Sequence, residues 1–546
     1  VDFDGVAVSS DSVTLSATSE FGGGFIGSGE DSVSLELTQW TDIYESELLD
    51  LDVAGIEVRG DLVVDDSGLS PEYDALDVGM NDVEVDFADV SATVMGGSVA
   101  YFVGGEDIVG NALASADVVG INIGSESAAG QLNNGFYAEI GDVALDNVRV
   151  YLDDVTVAVG GSQILVLEGE DSPGTKYVGQ NHLVSGDVWG IAIDSNHGDI
   201  RLDDVTVATE VTGYAAGFSV VQVQADNATV DSQGNDIVSV DSVGIYLIGE
   251  QEITLSYGDV TVAGNAGLSG VALSGAGGTD GFIAYHFDND GIDLDLIGVA
   301  IDGDGSATLG SVEQTSVSLF ANAHANGYAV VGIGEDFALP FFGNSDAVDS
   351  DGEVVEVSLD GVRLYSVDEA QMSAVDITLV LDASLQPKYD GGEVVELFGY
   401  GEAAEIPLLA IAGDDVLEVR AEGLYVEAEV IDIRGLSVDI TVSNLVGSAD
   451  DELAAMSAAG SLDDIFDVNI DGVDIQSYSE GAVSLVDFDI TVSESNTLKA
   501  ALAFAENDLV DSDATGLELD HEGGSLTSVK DIAANGIARG DDEWSI

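Results

Sequence analysis

The sequence predicts an all-β protein built from repeated multi-strand modules. The first observation is alternation with period two, clearest in residues 83–94, 148–159 and 417–433, where aliphatic or aromatic residues alternate with acidic or hydroxyl residues. This pattern is typical of half-buried strands. The second is the turn composition: 68 Gly against 5 Pro indicate turns that use glycine's access to positive φ. We interpret the Asp-Gly pairs at 360–361 and 471–472 as such turns.

The third observation is a recurring motif of four residues. Its first position is an acid or Ser, its second an aliphatic residue, its third Thr or Ser, and its fourth a second aliphatic residue. It begins at Asp154, Asp204, Asp259, Ser316, Asp376, Asp439 and Asp489. The intervals are 50, 55, 57, 60, 63 and 50 residues, too irregular for a strict β-solenoid. They predict modules of about 50–60 residues that form a β-sandwich or an irregular β-solenoid-like stack.

Helical signal is confined to two short segments, 450–464 and 496–508, so we expect at most two short helices. A break in the strand pattern around Pro340 suggests the domain organisation. We predict a Gly-rich repetitive β region over 1–340, an acidic linker or turn over 341–352, and a second β region with the helical insertions over 353–546.

The charge balance restricts where the protein works and what it binds. There are 104 Asp and Glu against 11 Lys and Arg, a formal net charge of −93. Such a chain repels nucleic acid and anionic membranes, so we expect no nucleic-acid partner. Too few basic residues are present to pair the carboxylates, so counter-ions must do so. Either high salt or bound divalent cations would serve, and both indicate an extracellular medium.

Other absences in the sequence narrow the function. There is no Cys, which excludes disulfides and thiolate metal sites, and no run of about 18 uncharged apolar residues, so we expect no membrane-spanning helix. The chain opens "VDFDGVAVSS", which we interpret as a mature extracellular chain whose export signal has been removed. The five His form no HExxH motif, no GxSxG elbow is present, and the Gly-rich stretches lack a phosphate-binding Lys. We therefore predict no enzymatic activity.

Calcium ligands are the most specific expectation for the acidic residues. Three stretches, 286–298, 300–307 and 343–353, place acids at alternate positions beside a Gly, which lets several oxygens converge on one Ca²⁺. A solvated acidic turn is the alternative for each. The predicted ligands are Asp288, Asp290, Asp293, Asp295, Asp302, Asp304, Asp346, Asp349, Asp351 and Glu353.

With these features the chain resembles the acidic, cysteine-free surface-layer (S-layer) and biofilm-matrix proteins of marine and halophilic microbes. The resemblance rests on strands such as "DDVTVAVGG" and "VDITVSNLVG" and on acidic turns such as "FDNDGIDLD". It implies a secreted, self-assembling, Ca²⁺-dependent lattice or matrix at the cell surface. No cell-wall anchoring domain is recognisable, so attachment would use cations bound to lipopolysaccharide or to another envelope component.

Two other functions stay open at this stage. The alternating segment 1–18 could add to a neighbour's sheet, which would make the protein a subunit of an extracellular filament built by strand donation. An outer-membrane β-barrel is the alternative of a different class, because alternating strands of about ten residues are also typical of it.

Overall fold

A computed structural model describes most of the chain. The described residues are 1–18, 24–26, 43–44, 47–59, 76–104, 107–124, 140–169, 175–195, 197–225, 229–278, 283–311, 314–330, 346–347, 352–366, 368–386, 409–411, 415–447, 455–458, 464–478, 481–502, 510–521 and 525–540.

The strands form three sheets, and the largest, sheet A, has 18 strands. Its strands are β1 (Asp2–Asp4), β2 (Ala7–Ser10), β3 (Val13–Thr18), β4 (Gly24–Ile26), β8 (Leu76–Phe87), β9 (Val90–Gly104), β12 (Ile140–Gly169), β15 (Ile200–Ala225), β18 (Ile253–Leu255), β19 (Gly258–Gly278), β22 (Ala307–Leu309), β23 (Thr315–Val330), β26 (Glu369–Gln386), β27 (Leu409–Ile411), β29 (Val430–Gly447), β30 (Ala455–Ala458), β32 (Ala482–Leu502) and β35 (Ser525–Gly540).

Sheets B and C complete the architecture. Sheet B comprises β5 (Ile43–Tyr44), β10 (Asp107–Val109), β13 (Thr175–Gly179), β16 (Thr229–Gln233), β20 (Ile283–Asp288) and β24 (Asp346–Ala347). Sheet C comprises β6 (Glu47–Leu49), β7 (Asp52–Arg59), β11 (Ala112–Gly124), β14 (His182–Ser195), β17 (Val238–Gly249), β21 (Ile292–Gly303), β25 (Val355–Ser366), β28 (Leu417–Ala428), β31 (Phe466–Ser477), β33 (Asp511–Thr515) and β34 (Glu518–His521).

The chain winds through these sheets as an irregular β-solenoid. It passes from sheet C to sheet A to sheet B and back to sheet C, as in β14, β15, β16 and β17, and each strand pairs in parallel with its counterpart in the next coil. The step between register partners is 54 residues from Val238 to Ile292, 63 from Ile292 to Val355 and 49 from Leu417 to Phe466. The all-β, repeated-module prediction is therefore confirmed in its solenoid-like form.

Sheets A and C pack against each other through a column of glycines. Successive sheet C strands place a Gly at the same register position, and a Cβ on Gly244 would lie 2.5 Å from both the Gly298 carbonyl oxygen and Cγ1 of Val260. Only Gly therefore lets the Val and Ile side chains of sheet A approach so closely. The glycine column consists of Gly55, Gly120, Gly190, Gly244, Gly298, Gly361, Gly423, Gly472 and Gly516. The aliphatic residues opposite are Val85, Val150, Val207, Val260, Val317, Ile377, Val438 and Ile490.

A second stack of glycines bends the long strands of sheet A. Gly161, Gly217, Gly270 and Gly327 are register neighbours with φ between 99° and 119°. A side chain there would meet the backbone of the preceding coil: a Cβ on Gly217 would lie 2.2 Å from the Gly161 carbonyl oxygen. The positive φ interrupts the extended conformation and divides each long strand into two legs.

The outer surface of sheet A carries an area that is almost free of charge, which we call the neutral face. Three neighbouring columns of outward side chains form it, and Asp382 is the single carboxylate in them. The first column is Thr14, Ser91, Thr156, Thr212, Asn265, Asn322, Asp382, Ser443 and Ser495. The second is Ser16, Thr93, Ala158, Tyr214, Gly267, His324, Ser384, Leu445 and Thr497. The third is Met95, Gly160, Ala216, Ser269, Asn326 and Gln386.

Several local expectations need correction. No helix occurs among the described residues, and hence none there is long and apolar enough to cross a membrane. Where the two predicted helical segments are described, they are strands: 455–458 in β30 and 496–502 in β32. The helical periodicity there is overridden by pairing with the neighbouring coils. The Asp-Gly pairs at 360–361 and 471–472 are not turns, because they lie inside β25 and β31.

The repeated motif is only partly a structural repeat. Asp259, Ser316 and Asp376 occupy one register column of sheet A, and Asp489 joins it through Ser437. The remaining starting positions, Asp154, Asp204 and Asp439, lie outside this column. Recurrence of the residue types was therefore a correct sign of repetition but an imperfect guide to register.

Strand pairing also bears on the expected domain division. Pairing continues across the predicted boundary, since β21 pairs with β25 and β23 with β26; the division into two regions stays a prediction. Every described pair of strands is parallel.

Candidate cation-binding site

The corner between sheets B and C collects buried polar residues from consecutive coils. Two residues before the first residue of five successive sheet C strands, β17, β21, β25, β28 and β31, the chain places an acid that is at most 8% exposed. We call this stack the acid column; it consists of Asp236, Asp290, Glu353, Asp415 and Asp464. It is the inner of two acidic arrays on this side of the molecule.

An asparagine ladder adjoins the acid column in the earlier coils. Asn111, Asn181, Asn235 and Asn289 are fully buried. Each side-chain amide donates to the Oδ1 of the next, over 2.6, 2.5 and 2.8 Å. Because these amides also donate to backbone carbonyls, as Asn235 does to Val178 over 2.8 Å, the ladder satisfies its own buried groups.

The acid column is held by backbone hydrogen bonds between coils. The amide N–H of Asp290 donates to Oδ1 of Asp236 over 2.7 Å, and that of Glu353 donates to Oδ1 of Asp290 over 2.7 Å. Asp464 N–H donates likewise to Oδ1 of Asp415 over 2.6 Å. Each of these bonds uses one carboxylate oxygen of the accepting acid. Oδ2 of Asp236 is buried with no hydrogen-bond partner and lies 3.3 Å from Nδ1 of His182.

Two groups of three carboxylates meet at this corner. Asp290, Glu353 and Glu356 offer oxygens that all lie within 4.8 Å of one another, and so do Glu353, Asp415 and Glu418. We call these the first and second clusters; Glu353 belongs to both. Oxygens at this spacing can converge on a hard divalent cation such as Ca²⁺, whose ligands lie at about 2.3–2.6 Å.

One basic residue lies beside the clusters. The guanidinium of Arg420 makes an ion pair with Glu418 and lies 3.8 Å from Oε1 of Glu356. The two clusters together hold five carboxylates beside this guanidinium, so acidic groups outnumber the basic group at this corner.

Burial makes the charged state of these acids unfavourable. It raises the pKa of Asp290 well above its usual range, and the adjacent Glu353 and Asp236 add to the shift. It raises the pKa of Asp415 to about 7, although the hydrogen bond from the backbone of Asp464 acts in the opposite direction. A carboxylate kept ionised here needs a compensating positive charge, which a bound cation would supply.

A second acidic array, the outer acid column, covers the outer surface of sheet C beside the acid column. It consists of Asp52, Asp117, Asp187, Asp241 and Asp295, which are register neighbours. Parallel strands lie about 4.8 Å apart, so like charges repeat at that spacing. Burial and the neighbouring carboxylates raise the pKa of Asp117 to about 6 and that of Asp295 to about 8. Burial also raises the pKa of Asp187 and Asp241.

The predicted ligands fall into several groups. Asp290 and Glu353 meet in the first cluster. Asp293 and Asp295 point outward from β21, where Asp293 is the register partner of Glu356. Asp302 and Asp304 are exposed and lie outside both clusters.

Four predicted ligands cannot be placed in this way. Asp288 and Asp346 belong to sheet B, and their side chains lie outside the described part of the structure. Asp349 and Asp351 lie outside the described residues.

Sequence reasoning missed Glu356, Asp415 and Glu418. A signal for Asp415 exists in the sequence. The pairs Asn235-Asp236, Asn289-Asp290, Gly352-Glu353, Asp414-Asp415 and Asp463-Asp464 recur at the same distance before a sheet C strand. Tracing this pair through the coils would have found the column.

Comparison of the chain with models of protein families, with curated proteins and with solved structures found no match. Functional inference therefore rests on the geometry described above.

Proposed function

We propose that this protein is an extracellular structural protein that assembles with its own copies into a cation-stabilised surface layer or matrix. The observation that carries the proposal is the pair of carboxylate clusters that share Glu353, inside a chain of net charge −93. Five carboxylates gathered at one mostly buried corner favour a divalent cation, and Ca²⁺ suits a ligand set made only of oxygens.

The solenoid supports a structural role. Its interior is filled by stacked aliphatic side chains, and a cavity lined by Leu268, Ala325 and Gly327 has a volume of about 10 Å³, room for roughly one water molecule. A substrate pocket of ordinary size occupies about 300–1,000 Å³. A rigid rod with a repetitive exterior is suited to tiling or to building a matrix.

Attachment to the cell follows from the same chemistry. A carboxylate-covered surface binds an anionic envelope component, such as lipopolysaccharide, only through shared divalent cations. Filament formation by strand donation from residues 1–18 is the alternative mode of assembly.

The proposal is tested by titrating purified protein with Ca²⁺ after treatment with EDTA in low-salt buffer. We expect Ca²⁺ to raise the melting temperature and to trigger assembly, followed by light scattering and negative-stain electron microscopy. A cation at one hundred times its Kd stabilises the folded state by about 2.7 kcal/mol per site. Assembly that is unchanged after thorough chelation would contradict the proposal.

Two variants test whether the Ca²⁺-dependent rise in melting temperature comes from the two clusters. Glu353→Gln removes the carboxylate shared by both clusters and should abolish most of the Ca²⁺-dependent rise in melting temperature. Asp302→Asn, an exposed acid outside the clusters, is the matched control and should keep the full rise. Equal Ca²⁺ responses from the two variants would move the cation sites away from this corner.

A further inference from the structure

The neutral face of sheet A is unusual in so acidic a chain. It extends over nine strands, from β3 to β32, with Asp382 as its single carboxylate. The same coils carry the outer acid column on sheet C. A surface of this protein that faces only water is expected to carry acids, because acids keep the protein soluble. Their scarcity over three adjacent columns therefore indicates a surface that contacts something.

The side chains of the neutral face already satisfy one another. The amide of Asn322 donates to Oδ1 of Asn265 over 2.9 Å, and the amide of Asn265 reaches Oγ1 of Thr212 over 3.4 Å. Nδ1 of His324 lies 2.8 Å from Oγ of Ser384. Polar groups that already hydrogen-bond within the column have a smaller free-energy cost of desolvation when water is removed from the face.

Large apolar side chains lie on this face or at its border. Tyr214 is 39% exposed and Met95 44% exposed, although the chain buries most of its large hydrophobic residues. Phe320 and Val380, register neighbours in the column beside the face, are also exposed. Aromatic residues and Met are enriched in protein–protein interfaces, whereas Asp and Glu are depleted there.

We infer that the neutral face is the surface through which two copies of this chain pack against each other. The inference rests on the proposed function, because it names the interface by which the assembly grows. The distribution of charge over the two sheets supports this interface. Sheets A and C pack back to back: a Cβ on Gly186, next to Asp187 of the outer acid column, would lie 3.2 Å from Val211, which precedes Thr212 of the neutral face.

Face-to-face packing therefore places the acids of both copies on the outside. Packed sheets are about 10 Å apart, so the two outer acid columns would be separated by about 30 Å. This is several times the screening length of about 8 Å at physiological ionic strength. An approach through sheet C would instead bring the carboxylates of the two copies into contact.

The area of the face also supports this interface. Each outward position covers about 32 Å², because strands lie about 4.8 Å apart and outward side chains follow one another about every 6.6 Å along a strand. The 24 positions of the three columns thus offer about 800 Å² per copy, which is the usual contribution of one partner to a stable protein–protein interface. Its flatness suits a flat partner, and a second copy of the same face has that shape.

The test introduces carboxylates into the face. Thr156→Asp combined with Thr212→Asp places two acids in neighbouring coils of the first column. We expect at least a tenfold rise in the protein concentration needed for assembly in Ca²⁺, measured by sedimentation velocity. The control is Thr206→Asp combined with Ser316→Asp on the same sheet, in a column that already holds Asp259, and it should assemble like the wild type. Circular dichroism melting curves check that both proteins fold.

A spin label gives a second measurement that does not depend on charge. The chain has no Cys, so Ala158→Cys carries a single nitroxide on the face and Thr206→Cys a single one outside it. On assembly, the electron paramagnetic resonance spectrum of the label at position 158 should broaden, while that at position 206 stays mobile.

The outcomes separate this inference from the proposed function. Assembly of the face variant at the wild-type concentration, with a mobile label at position 158, overturns the interface and leaves cation-driven assembly intact. Loss of binding to insoluble neutral polysaccharide particles by the face variant, with assembly unchanged, also overturns it and assigns the face to a glycan. A wild-type protein that does not assemble at any Ca²⁺ concentration removes both proposals.

Discussion

The outer surfaces of sheets A and C are built from the same coils yet have opposite chemistry. On sheet C, register neighbours such as Asp187 and Asp241 stack carboxylate on carboxylate. On sheet A, the neighbours Thr156 and Thr212 stack hydroxyl on hydroxyl. In a parallel, in-register stack every choice of residue is repeated about every 4.8 Å, so a local preference becomes a property of a whole surface. Repetition therefore gives one molecule both a carboxylate-lined side and an almost uncharged side.

The two surfaces also differ in what they require from solution. The polar side chains of the neutral face bond to one another, as Asn265 and Asn322 do. The acids of sheet C repel their register neighbours, and burial raises the pKa of Asp187, Asp241 and Asp295. Sheet C is thus the part of the solenoid whose stability depends on pH and on counter-ions.

The largest expected effect comes from a substitution that forces sheets A and C apart. Gly244→Val would place a side chain against the Gly298 carbonyl oxygen and Val260, both 2.5 Å from the new Cβ. Neither is a flexible group that can move aside, so we expect a loss of at least about 3 kcal/mol in the free energy of unfolding.

Gly258→Ala is the matched control, because the nearest atom to its Cβ is 3.5 Å away and the glycine has no positive φ. Urea denaturation followed by circular dichroism compares the two variants. A Gly244→Val protein as stable as Gly258→Ala would show that close approach of sheets A and C is not required.

A smaller effect is expected from pH, and it should fall on sheet C. Where burial raises the pKa of an Asp above its unfolded value near 4, the folded state holds a proton that the unfolded state has released. The free energy of unfolding then falls as pH rises through that range. For Asp117 at about 6 and Asp295 at about 8, the loss develops between about pH 4 and pH 8.

We therefore expect the metal-free protein to be less stable at pH 8 than at pH 5 by a few kcal/mol, since each pKa unit corresponds to about 1.4 kcal/mol. Hydrogen exchange should quicken in sheet C strands more than in sheet A strands. Added Ca²⁺ should reduce the difference in the free energy of unfolding between pH 5 and pH 8. Stability that rises with pH in EDTA would contradict this assignment.

The smallest effect is expected from replacing one carboxylate of sheet C with a hydroxyl, the kind of side chain that lines the neutral face of sheet A. Asp241→Ser removes a half-buried carboxylate between Asp187 and Asp295, and Ser occurs naturally in the same column at position 358. We expect a gain of about 1 kcal/mol in metal-free buffer at pH 8, measured by thermal melting. The exposed Asp302→Asn should change stability by less than about 0.5 kcal/mol. A destabilised Asp241→Ser protein would contradict this expectation and would mean that the hydrogen bond of Asp241 with Asp187 outweighs the cost of its burial.

Parts of this architecture could be predicted from local sequence, and others could not. Alternation in 148–159 identified β12 correctly, and acids beside Gly291 and Gly352 led to Asp290 and Glu353. The prediction of a turn at the Asp-Gly pair 360–361 was wrong, because Gly361 allows close packing of the sheets instead. Glu356 and Glu418 were not predicted because nothing near them in the chain marks them as members of a carboxylate cluster.

What the sequence alone determined is the kind of material: strands from alternation, glycine-dependent geometry, repetition, and a charge that demands counter-ions. Each of these depends on composition or on neighbours along the chain. The tertiary structure decided the register, and with it which acids share a corner and which hydroxyls share a face. Asp290 and Glu353 are 63 residues apart in sequence but adjacent in space, because one coil of the solenoid has that length. The coil length varies from 49 to 63 residues, so local patterns along the chain do not show which residues lie one coil apart.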